Sequence, residues 1–178
     1  MVASVFENST VAYTPVAATD PDAGTTLSYS LSGADAALFN IDASSGVVTF
    51  KVAPNFESPS DVGVDNVYNI NVVASDGVLT ATQAVAITVE NINDAPSGTD
   101  ATVTILEDGS KIFAASDFGF SDTLDSNSLT GVKITTLPGA GSLTLTGSGA
   151  VTAGQVISAA DIALGKLIYT PVANANGA

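Results

Sequence analysis

The chain has no cysteine, no histidine and no tryptophan, and only four lysine and arginine residues among 178. Each absence removes a class of chemistry. Without Cys or His, zinc, copper and iron–sulfur sites lose their preferred ligands, and nucleophilic catalysis by Cys–His or Ser–His pairs is excluded. No disulfide can form, so the sequence is silent on redox compartment. No apolar run approaches the length of about 18 residues needed to span a bilayer as a helix. The opening "MVASVFENST" lacks the basic end and apolar centre of a signal peptide, so any export signal is expected outside this chain.

Against so few cations stand 18 Asp and Glu, giving a formal charge of -14. A polyanion of this kind repels nucleic acid and anionic membrane surfaces, and neither is an expected partner. Disordered acidic chains share the charge but not the 46% apolar content, which here recurs at regular spacing. The chain therefore folds, and its acids repel one another in the compact state unless something neutralises them. A bound divalent ion is one remedy, and with nitrogen and sulfur ligands gone only hard, oxygen-ligated cations remain.

Alternation at period two dominates. Leu27, Tyr29 and Leu31 alternate with serines; Tyr68, Ile70 and Val72 form one face of a second run, and Val85, Ile87 and Val89 of a third. These are half-buried strands, separated by turn signals such as Ser44-Ser45-Gly46 and Ser75-Asp76-Gly77. "SAADIAL" (Ser158 to Leu164) is the single helical candidate, with Ser158 placed to cap it. The class is all-β, a sandwich of short strands. Phe39, Phe50, Phe56, Tyr29 and Tyr68 fall mostly on inward phases and are expected in a core.

A weak internal repeat aligns Phe6-Glu7-Asn8-Ser9 with Leu106-Glu107-Asp108-Gly109, and "TDPDAGTTL" with "SDTLDSNSL". Two related units joined near Pro96 follow, 1–96 and 97–178. If "IYTPVANANG" (Ile168 to Gly177) matches "TFKVAPNFES" (Thr49 to Ser58), the second unit lacks everything equivalent to residues 59–95, including two strands. Such a unit is expected to be a partial β-sandwich, a fragment whose open edge a neighbouring chain fills.

The first unit carries an ordered series: "ENST" with Glu7, "TDPDAG" with Asp20 and Asp22, "FNIDASSGVVTF", "PNFE" with Asn55 and Glu57, "ASDG" with Asp76, and "NINDAP". In this order the motifs resemble the cadherin-like repeats of bacterial surface proteins, over about residues 4–96. The second unit is similar, more loosely, to the Ig-like repeats that follow them in long bacterial adhesins. The resemblance implies tandem Greek-key β-sandwiches, the second incomplete, and calcium bound where one repeat meets the next. Glu7, Glu57, Asn91, Asn93 and Asp94 would gather at the far end of the first unit, with Asp122 and Asp125 from the near end of the second. Asp20, Asp22 and Asp76 would lie at the opposite pole, in a site that a preceding repeat completes.

Departures from the family pattern lower the expected affinity. Asn91 and Asn55 stand where acids are usual, and Ala95 where a second Asn is common. With fewer charged ligands, one or two ions and dissociation constants of about 0.1–1 mM are expected at the joint.

The resemblance implies a non-enzymatic, calcium-stiffened segment of a secreted or cell-surface adhesin. Its expected partners are neighbouring repeats, with homophilic or cell-surface glycan or protein contacts. A calcium-dependent carbohydrate-binding module is the alternative, weakened by only 11 aromatics. Paired carboxylates such as Asp20 and Asp22 could serve a glycosidase only across a cleft with one raised pKa, so an enzyme is not expected. Taken alone, "DPDAG" also reads as an ordinary solvated turn.

Overall fold

Residues whose apolar side chains recur at every second position pair into sheets in a computed structural model that describes residues 1–22 and 24–174. The chain divides into two compact units, Met1–Asn93 and Asp94–Ala178.

The first unit contains β1 (Val2–Phe6), β2 (Val11–Tyr13), β3 (Ser28–Ser32), β4 (Phe39–Ile41), β5 (Val48–Phe50), β6 (Val67–Ser75) and β7 (Thr80–Glu90). One sheet has the order β1-β7-β6-β3, the other β2-β5-β4. All pairs are antiparallel except β1 with β7, which runs parallel in the register Val2↔Ala86 to Phe6↔Glu90. The alternating faces meet in a core of Ala12, Phe39, Val48, Phe50, Tyr68, Ile70, Val72, Val85, Ile87 and Val89, among others. Burying each large apolar side chain contributes about 1.5–3 kcal/mol, and this is what closes the two sheets on each other. Phe39, Phe50 and Tyr68 form a cluster at its centre, with Tyr68 edge-on to both Phe rings at centroid distances of 5.8 and 5.3 Å. These three rings are therefore unavailable as a sugar-stacking surface, while Tyr29 and Phe56 pack half-buried against the core.

Strand directions place the acidic groups. The β6–β7 hairpin pairs Val67 with Thr88 at one end and Ser75 with Thr80 at the other, so Asp76 in its turn and the residues after Glu90 sit at opposite poles. Eleven residues of β7 separate them by roughly 34 Å of strand. Because β1 is parallel to β7, both strands end at the same pole. Glu7, one residue past β1, accordingly donates its N–H to the Glu90 carbonyl at 2.9 Å. Asn8, in the left-handed region at φ 62°, donates to the Pro54 carbonyl and brings the "PNFE" segment to that same end.

The second unit contains β8 (Lys111–Ile112), β9 (Gly131–Lys133), β10 (Ser142–Leu145), β11 (Gly149–Ala150), β12 (Val156–Ser158), α1 (Ala159–Ala163) and β13 (Leu167–Thr170). Its sheets have the orders β11-β10-β13-β8 and β12-β9. A small core of Leu145, Val151, Ile157, Ile162 and Leu167 is flanked by Phe113, Phe118, Val132, Ile134 and Leu143. The helix begins where its cap is: Ser158 Oγ accepts the Asp161 N–H at 3.0 Å and donates to Asp161 Oδ2 at 2.8 Å. The matching of Ile168–Gly177 to Thr49–Ser58 ends in residues 175–177, outside those described.

Candidate metal centre

Burying a carboxylate is costly unless its oxygens find donors. Three acids of the first unit are almost fully buried, Glu7 and Asp35 at 2% exposure and Asp61 at 3%. Each is matched by two backbone N–H groups. Glu7 Oε1 accepts from Ile92 at 2.9 Å and Oε2 from Phe56 at 3.2 Å. Asp35 accepts from Val62 at 2.8 Å and Asn69 at 2.6 Å. Asp61 accepts from Asp65 and Asn66, both at 3.1 Å. Burial pushes the Asp61 carboxyl upward, but the donated N–H groups outweigh it and hold the group below its ordinary range.

Glu57 is the exception. Both of its carboxylate oxygens are buried and neither has a hydrogen-bond partner. A carboxylate left in this state costs about 1–3 kcal/mol or more in lost solvation. Its neighbours worsen the position: one oxygen each from Glu7, Glu57 and Asp94 lie within 4.8 Å of one another. Asp94 is brought there by the path of the chain out of β7, which the Ile92–Glu7 hydrogen bond fixes two residues earlier. Like charges so close repel one another, and a cation between them relieves the repulsion.

The other residues singled out by sequence are distributed as follows. Asn91 and Asn93 are exposed on the segment leaving β7. In the second unit, the Asp94 N–H donates to Asp125 Oδ2, and the Asp125 N–H to Asp122 Oδ1 at 3.1 Å, so these three acids are hydrogen-bonded in series. At the opposite pole of the first unit, Asp20, Asp22 and Asp76 line one open cleft of about 200 Å³. Asp20 Oδ1 accepts the Asp22 N–H at 2.8 Å, and Asp76 Oδ1 accepts from Val78 and Leu79. The Leu79 and Val78 N–H groups hold the Asp76 carboxyl below its ordinary range. These oxygens already serve local turns, unlike those of Glu57.

Sequence reasoning passed over Asp35, Asp61 and Asn66. They hold the loop between Glu57 and β6, where Val64 and Asn66 both have left-handed backbone, at φ 53° and 62°. A β-branched residue there is strained, at a cost of roughly 1–2 kcal/mol, so the loop needs ties that overdetermine it. The two buried Asp side chains supply them. The nearest signal was the turn-forming stretch Ser58–Asn66, which gathers Pro59, Asp61, Gly63, Asp65 and Asn66 ahead of β6.

The chemistry of the trio suits calcium. An ion with ligand oxygens at roughly 2.3–2.6 Å accommodates donors up to about 4.6–5.2 Å apart across it, which brackets the observed spacing. All donors are oxygens on loops, which calcium's irregular coordination tolerates better than the strict octahedron of magnesium. Among the described residues no helix is long and apolar enough to cross a membrane.

No family model matches the chain. Human Protocadherin Fat 4 is 39% identical to it over 88 residues, which is 47% of this chain and 2% of that protein. Similar solved structures include mouse Cadherin-23 EC22-24, at 31% identity and TM-score 0.40, covering 51% of this chain and 28% of that one. Drosophila N-cadherin EC1-4 gives 27% identity and TM-score 0.43, covering 55% and 24%. The human Desmocollin-1 ectodomain gives 19% identity and TM-score 0.43, covering 99% and 30%. The chain thus spans a small part of the length of each of these proteins. Its all-β sandwich architecture, with the match to Protocadherin Fat 4, makes the fold cadherin-like.

Proposed function

We propose that the chain is a non-enzymatic, calcium-binding repeat segment of an extracellular adhesion protein, a secreted or cell-surface bacterial adhesin. In this reading calcium is held by Glu7, Glu57 and Asp94, with Asn91, Asn93, Asp122 and Asp125 as further oxygen donors. Asp20, Asp22 and Asp76 form a weaker half-site at the other pole. The observation that carries the reading is Glu57, a buried carboxylate without a donor beside two further carboxylates. Asp35 and Asp61 show how this fold satisfies a buried acid outside the site, with two N–H groups apiece.

The work done by such a site is mechanical. Empty, the segment after Glu90 is repelled by its own acids; filled, it is pinned to Glu7 and Glu57, and the direction in which the chain leaves the first unit is fixed. Stiff joints of this kind set how far a distal binding domain stands from the cell. Neighbouring repeats of the same protein are the first partners, and a second copy or another surface protein the next.

Thermal melting of the chelated protein against added calcium tests this. A ligand at 100 times its dissociation constant stabilises the folded state by about 2.7 kcal/mol, which moves the transition of a unit this size by roughly 10–20 °C. The transition is expected to climb with calcium through the low millimolar range and to return on chelation. No rise up to about 10 mM, well above the weakest extracellular sites, contradicts the reading.

A further inference from the structure

Asn66 lies outside every ligand position named above, yet it is tied to the same pole. Its Nδ2 donates to the Phe56 carbonyl at 2.8 Å, while the Phe56 N–H donates to Glu7 Oε2 at 3.2 Å. The peptide groups on both sides of Phe56 are thus held, one by Asn66 and one by Glu7, and the next residue is Glu57. Phe56 itself packs half-buried against the core, so the segment is fixed by its ring as well. Asn66 is in turn held by the Asp61 carboxylate at its backbone N–H and by its own carbonyl, which accepts the Val89 N–H at 2.9 Å. Its remaining polar atom, Oδ1, is buried without a partner, the same condition as the two oxygens of Glu57.

We infer that Asn66 is a positioning residue for the calcium site, setting the Glu57 carboxylate through the Phe56 carbonyl, with Oδ1 left to accept from a water on the bound ion. This rests on the calcium reading above. The loop between Glu57 and β6 then has a role: its buried Asp61 holds the Asn66 N–H, and Asp35 ties the same loop at Val62, so that Asn66 reaches back to Phe56. Residues that orient a metal ligand without touching the metal typically alter affinity by about 10–100-fold when removed.

The test uses the full chain and the Asn66→Gly variant, since glycine accepts the left-handed backbone at this position without strain. Calcium affinity is measured by titration calorimetry, and melting is followed in chelator. A positioning role predicts calcium binding at least about tenfold weaker than wild type, with chelated melting changed little. Asn69→Ala removes a carboxamide that bonds only to the Val67 carbonyl on the exposed face of β6, and should leave affinity unchanged. An unchanged affinity in Asn66→Gly overturns the inference while leaving the calcium reading intact; absence of calcium binding by the wild type overturns both. Nitrogen-15 NMR of the wild type gives an answer even if the variant does not fold. The Asn66 side-chain amide signals should shift as calcium is added, and signals that stay fixed while other residues of the pole move count against the role.

Discussion

Replacing Glu57 by Gln is expected to change the sign of its effect with calcium. In chelator the variant should melt higher than the wild type, because the substitution removes a buried charge that has no donor and sits against Glu7 and Asp94. Relief of about 1–2 kcal/mol corresponds to roughly 4–16 °C for a unit of this size. In saturating calcium the order should reverse, since a carboxylate ligand has become an amide and affinity falls by about tenfold or more. Two melting curves per protein, with and without calcium, check this. A variant that melts lower than wild type in chelator, or that keeps the full calcium increment, contradicts the assignment of Glu57.

The largest loss of stability is expected from Tyr68→Ala. Tyr68 is 1% exposed and packs edge-on to Phe39 and Phe50 between the two sheets. Truncating an aromatic ring in such a position costs about 3–5 kcal/mol, a large part of what a unit of this length has. The melting transition of the first unit should fall by roughly 12 °C or more, or disappear. Tyr68→Phe keeps the ring and loses only the hydroxyl contacts to Ser60, at 3.2 and 3.4 Å, so it should cost no more than about 1.5 kcal/mol. Similar losses in the two variants, read by chemical denaturation, would mean the ring cluster does not organise this core.

Period two made the strands legible. Tyr68, Ile70 and Val72, and Val85, Ile87 and Val89, turn inward on β6 and β7 as their spacing requires, and the capped turn at Ser158 is a helix. Alternation says nothing of partners, however, so the parallel pairing of β1 with β7 could not be read from the residues of either strand. That pairing is what carries Glu7 to the exit of β7.

The acids of the candidate site were legible only as a series of motifs, since Glu7, Glu57 and Asp94 share no periodicity. Asp35 and Asp61 were not legible at all. What makes a buried Asp tolerable is the pair of N–H groups it meets, and for Asp35 these come from residues 27 and 34 positions further on. Asn66 was hidden for the same reason, its contact to Phe56 spanning a loop with no regular pattern. The excess of 18 acids over 4 bases pointed to a cation in general terms. Only the fold separates the buried acids already satisfied by N–H groups from Glu57, whose buried oxygens have none.

The most direct measurement is anomalous diffraction from crystals grown in calcium. A peak bonded to the Glu57 carboxylate at roughly 2.3–2.6 Å, and shared with Glu7 and Asp94, is the predicted result. Crystals soaked in millimolar calcium that show no anomalous density within reach of Glu57 would contradict the account.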